Sequence, residues 1–165
     1  MTIRKSTSLL VSLIAVAGLA LTGCGKSEAP AAAPAVSADG VRTITITAND
    51  AMQFSVKEIE ATAGESLRIT LSNIGRMPKQ AMSHNWVLLT PMSDGELNSV
   101  GMKASAKAPT YLPDDKSVVI ANTKMLGSGE TDTIEITVPS TPGEYPFICT
   151  FPGHFTIMRG KLIVK

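Results

Sequence analysis

Cysteine is scarce. The 165 residues hold two, Cys24 and Cys149, so one disulfide is the most the chain could form. Charge of a single sign is lacking too: 15 Lys and Arg stand against 14 Asp and Glu, a formal net charge of +1. That balance leaves no electrostatic footprint for nucleic acid, and no nucleic-acid partner is expected. The one long apolar run, Leu9 to Leu21, falls short of the ~20 residues that a comfortable helical span of a bilayer needs. No G-x-S-x-G nucleophile elbow occurs, which removes the usual signature of a Ser-His-Asp hydrolase, and no internal repeat is present. Aromatic residues make up only 4%, and the single tryptophan, Trp86, is expected in the core, where a lone strand aromatic usually sits. Histidine is as rare as cysteine, with His84 and His154 alone.

What is there begins with an address. Arg4 and Lys5 form a short basic start, Leu9 to Leu21 an apolar stretch, and Leu21-Thr22-Gly23-Cys24 a small-residue close. Basic, then apolar, then small is the order of a secretory signal. The tetrapeptide resembles the bacterial lipobox, which implies cleavage before Cys24 and lipid on its thiol, holding the protein at a membrane of the cell envelope. Gly25 rather than aspartate after that cysteine leans toward the outer membrane of a two-membrane cell. Residues 1–23 contain two basic side chains and no acidic one, so the mature chain carries 13 against 14, a net of −1. Residues 24–40 are rich in alanine and proline with no apolar pattern, and read as a tether unable to offset its own ordering entropy. The folded domain is expected over residues 41–165, a normal length for one domain.

Within it the pattern runs mostly in twos. Thr43 to Thr47, Leu67 to Leu71 and Thr131 to Val138 alternate apolar and polar residues, as half-buried strands do. Trp86 to Leu89, Val118 to Ile120 and Leu162 to Val164 are short apolar runs that read as strands buried on both sides. Gly64, Gly75, Gly127-Ser128-Gly129 and Pro142-Gly143 punctuate them. Seven to eight such strands predict an all-β, Greek-key β-sandwich. The exception is residues 92–112, which lack alternation and are expected to hold a short helix or an irregular flap.

If Cys24 carries lipid, Cys149 is left as a lone thiol, and a lone buried cysteine is usually a small hydrophobe. Its neighbours argue otherwise. Cys149, His154 and Met158 are spaced C-x4-H-x3-M in one loop, and Pro152-Gly153 makes that loop turn tightly. His84 opens another strand, and neighbouring strands of a sandwich can bring it alongside. A thiolate, two imidazoles and a thioether form a soft donor set suited to one copper ion cycling between Cu(I) and Cu(II). The thiolate binds strongly and offers an electronic path. The imidazoles serve both oxidation states, and the thioether is a long, weak donor. Zinc seldom recruits a thioether.

Tyr145-Pro146-Phe147-Ile148-Cys149-Thr150-Phe151-Pro152-Gly153-His154 resembles the ligand loop of azurins, within the cupredoxin family. Met77-Pro78-Lys79 with Met82-Ser83-His84-Asn85-Trp86 resembles a second azurin segment, as do residues 49–54 and 119–130, so the similarity covers nearly all of 42–165. The resemblance implies a cupredoxin fold and a blue-copper electron carrier rather than an enzyme. Copper would be bound by His84, Cys149 and His154, with Met158 as a weak axial contact. It also implies that Asn85 ties the two ligand segments together. Met52, Met77, Met82 and Phe151-Pro152-Gly153 would ring the exposed edge of His154 as an apolar patch where redox proteins dock. Azurins usually place glycine before the first histidine, and its carbonyl makes a distant further contact; here that position is Ser83. The azurin disulfide is excluded by the cysteine count.

Two histidines are too few for a multicopper oxidase, and one cysteine in the loop is too few for a binuclear copper centre. A copper carrier or chaperone, delivering the ion rather than electrons, stays open beside the electron carrier. Such carriers generally use open, exchangeable Met/His sites on exposed segments.

Overall fold

A computed structural model describes residues 35–36 and 40–165. The chain divides into two units, Met1–Pro30 and Ala31–Lys165, and every described residue lies in the second. The signal segment, Cys24 and most of the expected tether lie outside the described residues. Ala35–Val36 (β1) falls within the stretch read as a tether, yet it pairs antiparallel with the start of the next strand.

Alternation builds the first sheet. In β2 (Arg42–Asn49), Ile44, Ile46 and Ala48 point inward; in β5 (Ser66–Asn73), Leu67, Ile69 and Leu71 do the same. The two strands run parallel, with Ile44 opposite Ile69 and Ile46 opposite Leu71, so their buried faces coincide. Strand β8 (Thr131–Thr137) adds antiparallel to β5, and the short β3 (Gln53–Phe54) folds back on β2. The second sheet has the order β4 (Glu58–Ala61), β10 (Arg159–Val164), β9 (Gly143–Ile148), β6 (Val87–Leu89), β7 (Val119–Asn122). Between β3 and β9 the chain passes repeatedly from one sheet to the other, as a Greek-key sandwich requires. Ten strands occur among the described residues. The excess over the seven to eight expected comes from β1 and β3, two residues each.

Trp86, Leu88, Phe147, Phe54 and Leu162 fill the space between the sheets. The exception at 92–112 proves to be helix α1 (Asp94–Ser105) followed by irregular chain. Ser93 caps it in a reciprocal box: the Glu96 N–H donates to the Ser93 hydroxyl, and the Ser93 N–H donates to the Glu96 carboxylate. A second apolar cluster (Val87, Leu89, Ile148, Leu97 of α1 and Phe155) covers the outer face of the second sheet. That cover is why Val87, Leu88 and Leu89 are all buried, as a continuous apolar run suggests. Two other runs depart from the expectation of burial on both sides. Val119 and Ile120 are only half-buried because β7 is an edge strand, and Ile163 is half-buried between buried Leu162 and Val164.

Candidate metal centre

Cys149 follows the last residue of β9, and its N–H donates to the Met158 carbonyl (2.9 Å). The chain then reverses through Pro152-Gly153. Gly153 has φ of +82°, a left-handed conformation that glycine adopts without the penalty a Cβ brings. A single 3-10 turn, His154–Thr156, comes next. His154 N–H donates to the Phe151 carbonyl (3.0 Å), and Met158 N–H donates to the His154 carbonyl (2.8 Å). Residues 149, 154 and 158 therefore sit on one backbone-bonded loop. His84 arrives from the segment before β6, whose Val87 lies opposite Ile148 of β9. It exchanges two backbone bonds with Leu126, 3.0 and 2.8 Å long.

The three donors converge. Sγ of Cys149 lies 3.9 Å from Nδ1 of His84 and 3.6 Å from Nδ1 of His154, and one donor atom from each residue lies within 4.8 Å of the others. Donors ~2.0–2.3 Å from a central ion in a trigonal plane stand about 3.5–4 Å apart, so this spacing accepts one transition-metal ion. The Ser83 carbonyl lies 3.9 Å from Sγ. Ser83 has no positive φ, so its carbonyl comes this near with backbone angles open to any residue. Met158 is buried at 1% exposure and bonded through its backbone to both Cys149 and His154.

Electrostatics favour a metal over protons. Burial pushes the Cys149 thiol up to about 12, against two backbone N–H groups, of Asn85 and Phe151, that favour the thiolate. At neutral pH the sulfur becomes thiolate only when a cation replaces its proton. Burial, with the neighbouring His84, lowers His154 to about 4. Burial also lowers His84, opposed in part by the Asn49 carbonyl and the Asp50 carboxylate. Nε2 of His84 is buried and makes no hydrogen bond of full geometry. Both imidazoles are thus neutral in ordinary buffer, with a lone pair available to a metal.

Asn85 does tie the ligand segments together. Its Oδ1 accepts from the Thr150 N–H (2.9 Å), and its Nδ2 donates to the Thr150 hydroxyl (2.8 Å). That hydroxyl in turn donates to the Tyr111 carbonyl. The Tyr111 ring packs on Phe151, whose ring lies 4.9 Å from that of His154. Tyr111 and Leu126 were not legible as parts of the site. Leu126 acts through backbone atoms, which any residue supplies, and Tyr111 through its carbonyl and its ring on Phe151.

The profile of the copper binding proteins of the plastocyanin/azurin family matches residues 41–165. The chain belongs to that family. It is 41% identical over 126 residues to the azurin of Pseudomonas aeruginosa, covering 74% of this chain and 84% of that protein. It is 40% identical over 121 residues to the azurin of Achromobacter denitrificans. Among solved structures, auracyanin A, a "blue" copper protein of Chloroflexus aurantiacus, matches with a TM-score of 0.67 at 33% identity over 74% of this chain and 98% of its own. An azurin of Methylomonas sp. strain J matches with a TM-score of 0.65 at 30% identity, over 74% of this chain and 97% of its own. The azurin-like family carries electrons on copper and does not catalyse reactions, and the buried His84, Cys149 and His154 cluster has room for one such ion.

Proposed function

We propose that this protein is a one-electron carrier of the cell envelope, with His84, Cys149 and His154 as equatorial copper ligands and Met158 as the weak axial one. The trigonal spacing of three buried, uncharged donors carries the reading. Copper held there would take one electron from a donor protein and pass it to an acceptor, alternating between Cu(II) and Cu(I). Cys149 gives up its thiol proton and provides the covalent path, while His154 provides the outward one. The backbone bonds of residues 149–158 and the Asn85–Thr150 pair hold the donors where they are in both states, which keeps the rearrangement per electron small. Delivery of the ion to another protein is the competing use, and burial of every donor argues against it. The test is a redox titration in the presence of a chelator. Ten or more reversible cycles with copper retained support the carrier; loss of the ion on first reduction would point to delivery.

Partners dock, in this reading, on the apolar surface around His154. His154 is 3% exposed whereas His84 is fully covered. Met77 and Ile157 are 40% and 57% exposed, Pro152 and Gly153 are exposed, and Met52 and Met82 are half-buried. With a mature net charge of −1 from the sequence, long-range steering is weak and salt matters little. Met82→Lys places a charge that must be desolvated when two such faces meet. It is expected to slow electron self-exchange about tenfold, equal to ~1.4 kcal/mol, and to leave the visible spectrum unchanged. Unaltered self-exchange would refute the patch.

Lipid on Cys24 completes the proposal and rests on the lipobox-like Leu21-Thr22-Gly23-Cys24. The location that follows is the periplasmic side of a membrane, with Gly25 favouring the outer one. Stable anchoring needs more than one acyl chain. Cys24→Ser is expected to move most of the protein to the soluble fraction or to block processing. Equal membrane partitioning with the signal removed in both forms would exclude the anchor.

A further inference from the structure

Helix α1 lies beside the turn that joins His154 to Met158, and the contact is built from both sides. Arg159 follows Met158 directly. Its Nε and Nη2 both donate to the Phe155 carbonyl, at 3.1 and 2.7 Å, and Nη2 also donates to Oδ1 of Asn98 on α1 (2.7 Å). The guanidinium thus takes up a carbonyl from the middle of the turn and ties it to the helix. Asp94, almost wholly exposed, approaches no nearer than 3.8 Å and adds little. From the other side Phe155 seats on Gly101 of α1. A Cβ built on Gly101 would stand 2.5–2.7 Å from Cγ, Cβ and Cδ2 of Phe155, closer than carbon atoms approach. Phe155 also packs with Leu97, Val87 and Ile148, so it is held on the helix side and the sheet side.

We infer that Arg159, Asn98 and Gly101 form a clamp that sets where the His154–Met158 turn presents its two donors. Arg159 acts as a positioning residue for the metal centre rather than only as a fold-stabilising one. The inference rests on the copper reading above. Two backbone bonds make the coupling direct. Met158 N–H reaches the His154 carbonyl and Cys149 N–H reaches the Met158 carbonyl, so a displaced Phe155 shifts residues on both sides of itself. A planar fork can serve the Phe155 carbonyl and the Asn98 carboxamide at once; a lysine ammonium lacks that fixed geometry.

The test compares Arg159→Ala, Arg159→Lys and Gly101→Ala with the parent and with Arg68→Ala, a surface arginine paired with Glu135 on the far sheet. Three quantities are read: the copper hyperfine splitting with the ratio of the visible bands, the rate of copper loss to a chelator, and hydrogen exchange at the Cys149 and Met158 amides of the metal-free protein. Arg159→Ala and Gly101→Ala are expected to change the splitting and band ratio, to speed copper loss at least tenfold, and to speed both amides. Arg159→Lys should fall between, and Arg68→Ala should match the parent. If Arg159→Ala and Gly101→Ala keep the parent's spectrum, copper-loss rate and amide exchange, and differ only in melting temperature, the clamp is refuted. Should Arg159→Ala fail to fold, Asn98→Ala decides by the same readings, with parental values overturning the inference. A parent that is colourless with copper bound refutes the copper reading instead, and the metal-free amide exchange then judges the clamp alone.

Discussion

Loaded with Cu(II), the protein is expected to be intensely blue, and Cys149→Ser to lose that colour completely. A short copper–thiolate bond produces a strong visible charge-transfer band, and Cys149 is the one cysteine among the described residues. A serine hydroxyl is a harder and poorer donor that leaves no such band. The three donor atoms within 4.8 Å of one another allow a bond of the required shortness without backbone movement. Met158→Leu separates the axial role from the equatorial ones. In the proposed site it would remove a weak donor that stabilises Cu(II), so the protein should stay blue and its reduction potential should rise. A colourless parent at full copper occupancy would defeat the whole assignment. A lower potential in Met158→Leu would defeat the axial role alone. Absorption and paramagnetic-resonance spectra with a spectroelectrochemical titration make these measurements.

The metal-free protein is expected to lose about 3 kcal/mol of stability on acidification from pH 7 to pH 4 through His154 alone. Its folded value is lowered to about 4 from 6.5. Between those two values the unfolded chain binds the proton and the folded chain does not, so stability is lost as the pH drops across that window and is fully present above it. At ~1.4 kcal/mol per pH unit the window amounts to about 3 kcal/mol. His84, lowered by the same burial, adds to the loss. Copper should suppress the effect, because a lone pair committed to the metal is closed to the proton. Urea midpoints at pH 7 and 4.5, with and without copper, check the claim. His154→Gln should flatten the metal-free profile. A metal-free parent as stable at pH 4.5 as at pH 7 would contradict it.

Much of this protein could be read before any fold was known. A strand must present one face to the core, so the inward residues of β2, β5 and β8 announce themselves by alternation. The residues at 149, 154 and 158, expected as donors, are close in sequence with Pro152-Gly153 in their loop. Bringing Cys149 and His154 together, with Sγ 3.6 Å from Nδ1, is thus a local matter of turn geometry. His84 was legible by donor chemistry and by likeness to azurins, since nothing local ties it to Cys149, some 65 residues away. Alternation says which face is buried but not which strand is the neighbour. The parallel pairings of β2 with β5 and of β4 with β10, and the place of β6 beside β9, were decided only when the sheets assembled. The cover that α1 gives the outer face of the second sheet, with Phe155 on Gly101 and Arg159 reaching Asn98, left no periodic trace. These contacts join single residues far apart in the chain. Residue types and their spacing were enough to propose which side chains hold the metal. How firmly they are held could not be read there, because firmness comes from long-range packing and from backbone groups that every residue carries alike.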